Sequence, residues 1–166
     1  MGETIVKAEG KEFAMERLFD ATQDQVFAAF TKCEHLQHWW GPRGWQLTTC
    51  NLDFRPEGAW HYCMTCQDEA QGEFFGMESW GKAVYQSIDA PNSIVYTDYF
   101  SDAEGNLNEE MPPSDTTLIF EPFEGGTKVI SRTVYDSEAS LQTVIDMGME
   151  YGIRETWDRL DDYLLK

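Results

Sequence analysis

The chain has 166 residues, enough for one domain with a sizeable core, and its 42% hydrophobic and 14% aromatic content is that of a folded globular protein. Its 30 acidic and 12 basic side chains give a formal net charge of −18, which argues against nucleic acid and anionic membrane surfaces as partners and otherwise serves solubility. No apolar run is long enough to span a bilayer, and the charged segment Met1–Glu12 lacks the apolar core of a signal peptide, so a cytoplasmic protein with no membrane association is expected.

In chain order, Glu12–Phe19 reads as a first strand. Thr22 and Gln25 have the spacing of a capping box, opening a short helix with Val26, Phe27 and Phe30 on its apolar face. A second short helix, about Glu34 to Trp39, carries Leu36 and the Trp39-Trp40 pair and stops at Gly41-Pro42. Trp40 is expected to be mostly buried and to staple this helix to the rim of a sheet. Five or six strands follow, separated by turn signals: Leu47–Phe54, Ala59–Thr65, Glu78–Ile88, Ser93–Phe100, Thr116–Phe123 and Thr127–Val134. Trp60, Tyr62 and Met64 share one face of their strand, and Trp80, Val84 and Ile88 one face of theirs. Such short connections suit an antiparallel meander. The stretch Ser101–Asp115 holds five acidic side chains, no basic ones and Pro112-Pro113. Loops of that length are lids or simply mobile, and mobility is the simpler expectation.

The last stretch, Ser137–Lys166, reads as one long amphipathic helix with Leu141, Val144, Gly148, Gly152, Ile153, Trp157, Leu160 and Leu164 on its apolar stripe. Gly148 and Gly152 either let another backbone approach or leave space. A curved antiparallel sheet wrapped about this helix is the economical way to bury both apolar faces.

The order and spacing of several segments resemble the bacterial relatives of the C-terminal domain of the activator of the Hsp90 chaperone ATPase, in the START-like (Bet v 1-like) superfamily. The resemblance rests on Phe19-Asp20-Ala21, Trp39-Trp40-Gly41-Pro42, Asp53-Phe54-Arg55-Pro56-Glu57-Gly58, Ile94-Val95-Tyr96-Thr97, Gly125-Gly126-Thr127 and Gly148-Met149-Glu150-Tyr151-Gly152, and covers nearly the whole chain. It implies an α+β helix-grip fold over a single domain, 1–166. Two positions depart from the pattern. Glu57 stands for a usual Gly, so that turn differs, and Ile153 stands where relatives often carry Trp, which would enlarge any cavity under the helix.

The four cysteines are expected to be free thiols, with no disulfide, because the compartment is taken as reducing. Cys63 and Cys66 fall on opposite faces of a strand, and His35, His38 and His61 lack the spacing of a zinc site, so neither metal nor cofactor is expected. No catalytic residue is assigned. Glu78, Asp98 and Arg132 are isolated polar residues on strands, expected to face solvent, and any of them that points inward becomes a catalytic candidate. The expected function is non-catalytic binding of a small hydrophobic or aromatic molecule between sheet and terminal helix, by Trp39, Trp60, Tyr62, Trp80, Tyr96, Gly148, Gly152 and Ile153. The alternatives are a co-chaperone-type module acting on a chaperone or protein client, and a cyclase- or hydrolase-like enzyme. The chain is expected as a monomer or homodimer; Trp39 and Trp40 would mark a dimer or partner surface if exposed, and not if buried.

Overall fold

The computed structural model describes residues 4–165; the first three residues of the Met1–Glu12 segment and the expected helix end at Lys166 lie outside them. Alternation of Phe13, Met15, Arg17 and Phe19 with more exposed neighbours makes Glu12–Phe19 a strand with one buried face. It is the second strand, β2, because Ile5–Glu9 (β1) pairs with it antiparallel. Periodicity does not announce β1: it is short and mostly exposed.

Helix α1 (Gln23–Thr31) opens on the expected capping box, with the Thr22 hydroxyl accepting from the Gln25 amide and the Gln25 side chain accepting from the Thr22 amide. Helix α2 (Cys33–Trp39) follows after one residue. Then come β3 (Trp45–Leu52), β4 (Ala59–Cys66), a 3-10 segment at Glu69–Phe74, β5 (Glu78–Asp89), β6 (Ser93–Phe100), β7 (Ser114–Phe123) and β8 (Gly126–Tyr135). All eight strands form one antiparallel sheet in the order β1-β2-β8-β7-β6-β5-β4-β3. The chain closes with α3 (Glu138–Asp146) and α4 (Met149–Leu164) laid against the sheet's inner face. This is the α+β helix-grip architecture. No helix among the described residues is long and apolar enough to cross a membrane.

The core lies between this inner face and the helices. Phe19 meets Trp157 of α4 edge-on at 5.7 Å, and Phe27 and Phe30 of α1 meet Phe120 of β7 at 5.3 and 5.2 Å. Aromatic pairs in this arrangement add to their area burial. Arg17 is buried among them and donates to Asp158 at 2.6 Å and Asp161 at 3.0 Å, tying β2 to α4.

Four details differ from expectation. The terminal helix is two helices: Gly148 takes φ +89°, the left-handed region that glycine enters without a Cβ penalty, and ends α3 before α4 begins. A glycine on an apolar stripe looks the same from the sequence whether the helix continues through it or stops. Cys33, first in α2, and Cys50 on β3 are joined as a disulfide, their Cα atoms 6.0 Å apart, so Cys63 and Cys66 are the free thiols, both buried. Their distance of 17 residues along the chain conceals that α2 packs on β3. The inner face of β5 presents Gly81, Ala83 and Tyr85, because a register shift between Tyr85 and Ser87 changes the phase along the strand. Finally, the two tryptophans of α2 exchange the expected roles. Trp39 is fully buried, donates its indole N–H to the Ala29 carbonyl at 3.0 Å and packs on Phe30, so it is the staple. Trp40 is partly exposed, because the helix ends at Trp39 and Trp40 is already extended (φ −71°, ψ 128°). At the turn after β3, Glu57 takes φ +68°, the conformation that the usual glycine would supply.

A candidate ligand cleft between sheet and helix

The space between the sheet and the α3–α4 break is a cleft of about 390 Å³, near the lower end of the range of roughly 300–1,000 Å³ for small-molecule sites. Its sheet wall is built by strand alternation. Tyr62 projects from β4, Tyr96 and Asp98 from β6, Thr116 from β7, and Thr133 and Tyr135 from β8. Its helical wall is Met147, Gly148, Gly152, Ile153 and Trp157. Trp40 stands at one side, edge-on to Trp60 at 4.8 Å and to Tyr62 at 5.8 Å. Its indole nitrogen is buried and has no hydrogen-bond partner among the described residues.

Neither helix glycine lies against another backbone, and Gly148 is exposed. A Cβ on Gly148 would meet nothing within 4 Å, and one on Gly152 would meet a ring carbon of Pro42 at an ordinary 3.6 Å. Close approach occurs elsewhere: a Cβ on Gly81 would come within 2.5 Å of the Tyr62 hydroxyl, so glycine there is what lets Tyr62 lie across β5.

Of the residues expected to bind, Tyr62, Tyr96, Gly148, Gly152 and Ile153 line this cleft. Trp60 lines a small adjoining space with Trp40 and Tyr85. Trp39 lies behind the wall, buried against α1. Trp80 borders the cleft as part of β5, yet pairs in register with Cys63 and stacks its indole on His61, on the outer face.

Asp98, expected to face solvent, points inward. It sits opposite Ala83 and Ser114 in the sheet, and the Tyr62 hydroxyl donates toward both its carboxylate oxygens at 3.3 and 3.5 Å. Burial pushes its pKa up to about 7, partly offset by hydrogen bonds from Tyr62 and from the Tyr99 amide. Burial, and then the charge on Asp98, raises the Tyr62, Tyr85, Tyr96 and Tyr135 hydroxyls above their ordinary range, Tyr135 to about 12. The signal for Asp98 lies two residues back: Tyr96 is on the cleft face, and a strand returns to that face at Asp98. Glu78 and Arg132 are exposed.

Two further features shape the cleft. Arg159 on α4 donates to the carbonyls of Gly41 (2.7 Å), Pro42 (3.2 Å) and Trp45 (2.9 Å), holding the loop that presents Trp40. The 101–113 loop is laced by Asp102, whose carboxylate accepts from the Glu104 and Asn106 amides and the Asn106 side chain, and it brings Pro112 to the cleft. No cluster of three or more His, Cys, Asp or Glu with metal-site geometry occurs among the described residues.

Comparison with known proteins agrees with this architecture. A protein from Arthrobacter aurescens, solved in solution, is 29% identical, with 96% of this chain and 90% of that one covered and a TM-score of 0.86. A crystal structure of a protein from Mycobacterium smegmatis is 27% identical over 98% and 97% of the two chains, also with a TM-score of 0.86. A third, from Staphylococcus epidermidis, is 30% identical over 96% and 92%, with a TM-score of 0.81. No curated protein matches the chain. The family model described as "Activator of Hsp90 ATPase homolog 1-like protein" matches residues 20–165, and the chain therefore belongs to that family.

Proposed function

We propose that this protein binds a small, largely hydrophobic or aromatic molecule in the cleft between its sheet and its terminal helices. The observation that supports this reading is the cleft of about 390 Å³ between the aromatic side chains of the sheet and a helical wall in which Gly148 and Gly152 carry no side chain. Interiors otherwise pack near crystal density, so a filled core at this point would have favoured the co-chaperone role that the family description suggests. The inward Asp98 favours a second reading, an enzyme that moves a proton on the bound molecule with Asp98 and Tyr62 as the pair. Recovery of the bound molecule unchanged after prolonged incubation would separate a carrier from that enzyme.

A neutral apolar dye, N-phenyl-naphthylamine, tests the binding reading. It should bind the native protein with a saturable isotherm. Gly152→Leu fills the cleft, replaces a poor helix former with a good one, and should abolish dye binding while leaving the melting temperature equal or higher. A parent protein that binds no dye, or a Gly152→Leu protein that binds it unchanged, would overturn the reading.

A further inference from the structure

Asp98 is the one carboxylate on the cleft wall, and none of the described residues lining the cleft is Lys, Arg or His. The cations nearby in the fold are engaged elsewhere. Arg17 is held by Asp158 and Asp161, Arg154 by Glu150, and Arg159 by backbone carbonyls. Lys82 lies on the outer face and reaches toward the Gly105 carbonyl at 3.5 Å. The groups packed around Asp98 are Tyr62 from β4, Tyr85 from β5, Tyr96 from its own strand, Ser114 and Thr116 from β7, and Tyr135 from β8. The helical wall contributes Gly152, Ile153 and Thr156, with no titratable group.

Three hydroxyls of this set are already committed: Tyr62 donates to Asp98, and Thr116 and Thr133 bond each other at 3.1 Å. Besides the buried, unpartnered Trp40 indole N–H, what the cleft offers a ligand is carboxylate oxygen and aromatic face. Both favour positive charge: a desolvated carboxylate is costly without a partner, and Trp and Tyr rings attract cations over their faces. The net charge of −18 acts in the same direction, drawing cations in and turning anions away.

The geometry points to an organic cation as the ligand class: a protonated amine on an aromatic or aliphatic body, its ammonium on the Asp98 carboxylate and its body among Tyr62, Tyr96, Trp40 and Ile153. This rests on the binding reading above and gives it a chemistry. It also sets a pH dependence. Free Asp98 ionises at about 7, so amine binding is full above that pH and weakens below it, by about tenfold between pH 8 and pH 6. The surrounding tyrosines stay neutral over that range, and amines of this kind stay charged.

The test uses three molecules with one body: phenylbutylamine, phenylbutanol and phenylbutyrate, titrated calorimetrically into the parent and into Asp98→Asn. The amine should bind the parent roughly 10- to 100-fold more tightly than the alcohol at pH 8, and the acid least. Asp98→Asn should erase the preference for the amine over the alcohol, and lowering the pH to 6 should reduce it in the parent alone. Equal binding of amine and alcohol at pH 8, or an alcohol that binds more tightly as the pH falls, would overturn the inference while leaving the cleft as a binding site. The second result would mean that a protonated Asp98 donates to a neutral ligand. Binding by none of the three would overturn the inference and, joined to a failed dye titration, the binding reading with it.

Discussion

Replacing Asp98 by Asn should stabilise this protein above neutral pH and do progressively less as the solution is acidified. The carboxyl moves from 3.8 in the unfolded chain to about 7 in the fold because burial penalises its charged form. At about 1.36 kcal/mol per tenfold change, that difference amounts to roughly 4 kcal/mol. The folded state holds the proton more tightly, so stability is greatest below about pH 4, where both states are protonated. It falls as the pH rises toward 7 and levels off once the folded carboxyl has ionised too. About 1.5 kcal/mol is already lost at pH 5, leaving about 2.5 kcal/mol between pH 5 and pH 8, somewhat less where water enters the cleft. Asn keeps the shape and still accepts from Tyr62, but does not ionise. Urea unfolding of both proteins at the two pH values isolates the effect, since every other titrating group cancels in the difference. The gap should widen in favour of Asn by about 2 kcal/mol from pH 5 to pH 8. An equal gap at both would mean that Asp98 is solvated in the fold, and the electrostatic account of the cleft would be wrong.

Trp39→Ala should cost about 3–5 kcal/mol, as for other fully buried large side chains, whereas Trp40→Ala should cost less and change dye binding instead; the opposite ranking in thermal melts would return the staple to Trp40. Thiol titration of the unfolded, unreduced protein should find two thiols, Cys63 and Cys66, and reduction should lower stability by about 3 kcal/mol, the loop-closure value for a bridge of this span. Four titratable thiols before reduction would show the Cys33–Cys50 bond absent from the protein in solution.

Local patterns carried most of the architecture. The Thr22–Gln25 box, the two-residue alternation of β2 and of the first half of β4, and the Gly-Gly turn before β8 are each decided within a few residues, so chain order reveals them. What stayed hidden depends on phase or on distant approach. The end of α2 falls one residue before Trp40, and that single step exchanges a buried tryptophan for a cleft tryptophan. The register shift in β5 turns Trp80 outward although Ile88 packs against the core. The Cys33–Cys50 bond and the Arg17 pairs join segments that only the folded chain brings together. Asp98 belongs to neither group. Its parity with Tyr96 was legible, but an isolated acid on a strand is ordinarily solvent-facing, and only the neighbouring strands show that this face is enclosed.

The grip of Arg159 on the carbonyls of Gly41, Pro42 and Trp45 makes positions more than a hundred residues apart energetically one unit. Main-chain acceptors place no demand on which side chains the loop carries, so apart from Gly41 and Gly44, whose positive φ favours glycine, its residues can vary while its path is held from α4. Among homologues, a chain that loses the arginine would have to rebuild the 41–45 path by other means, and the two changes should travel together. In a double-mutant cycle the same dependence would surface as non-additivity between position 159 and Trp40, although no atom of either side chain need touch the other.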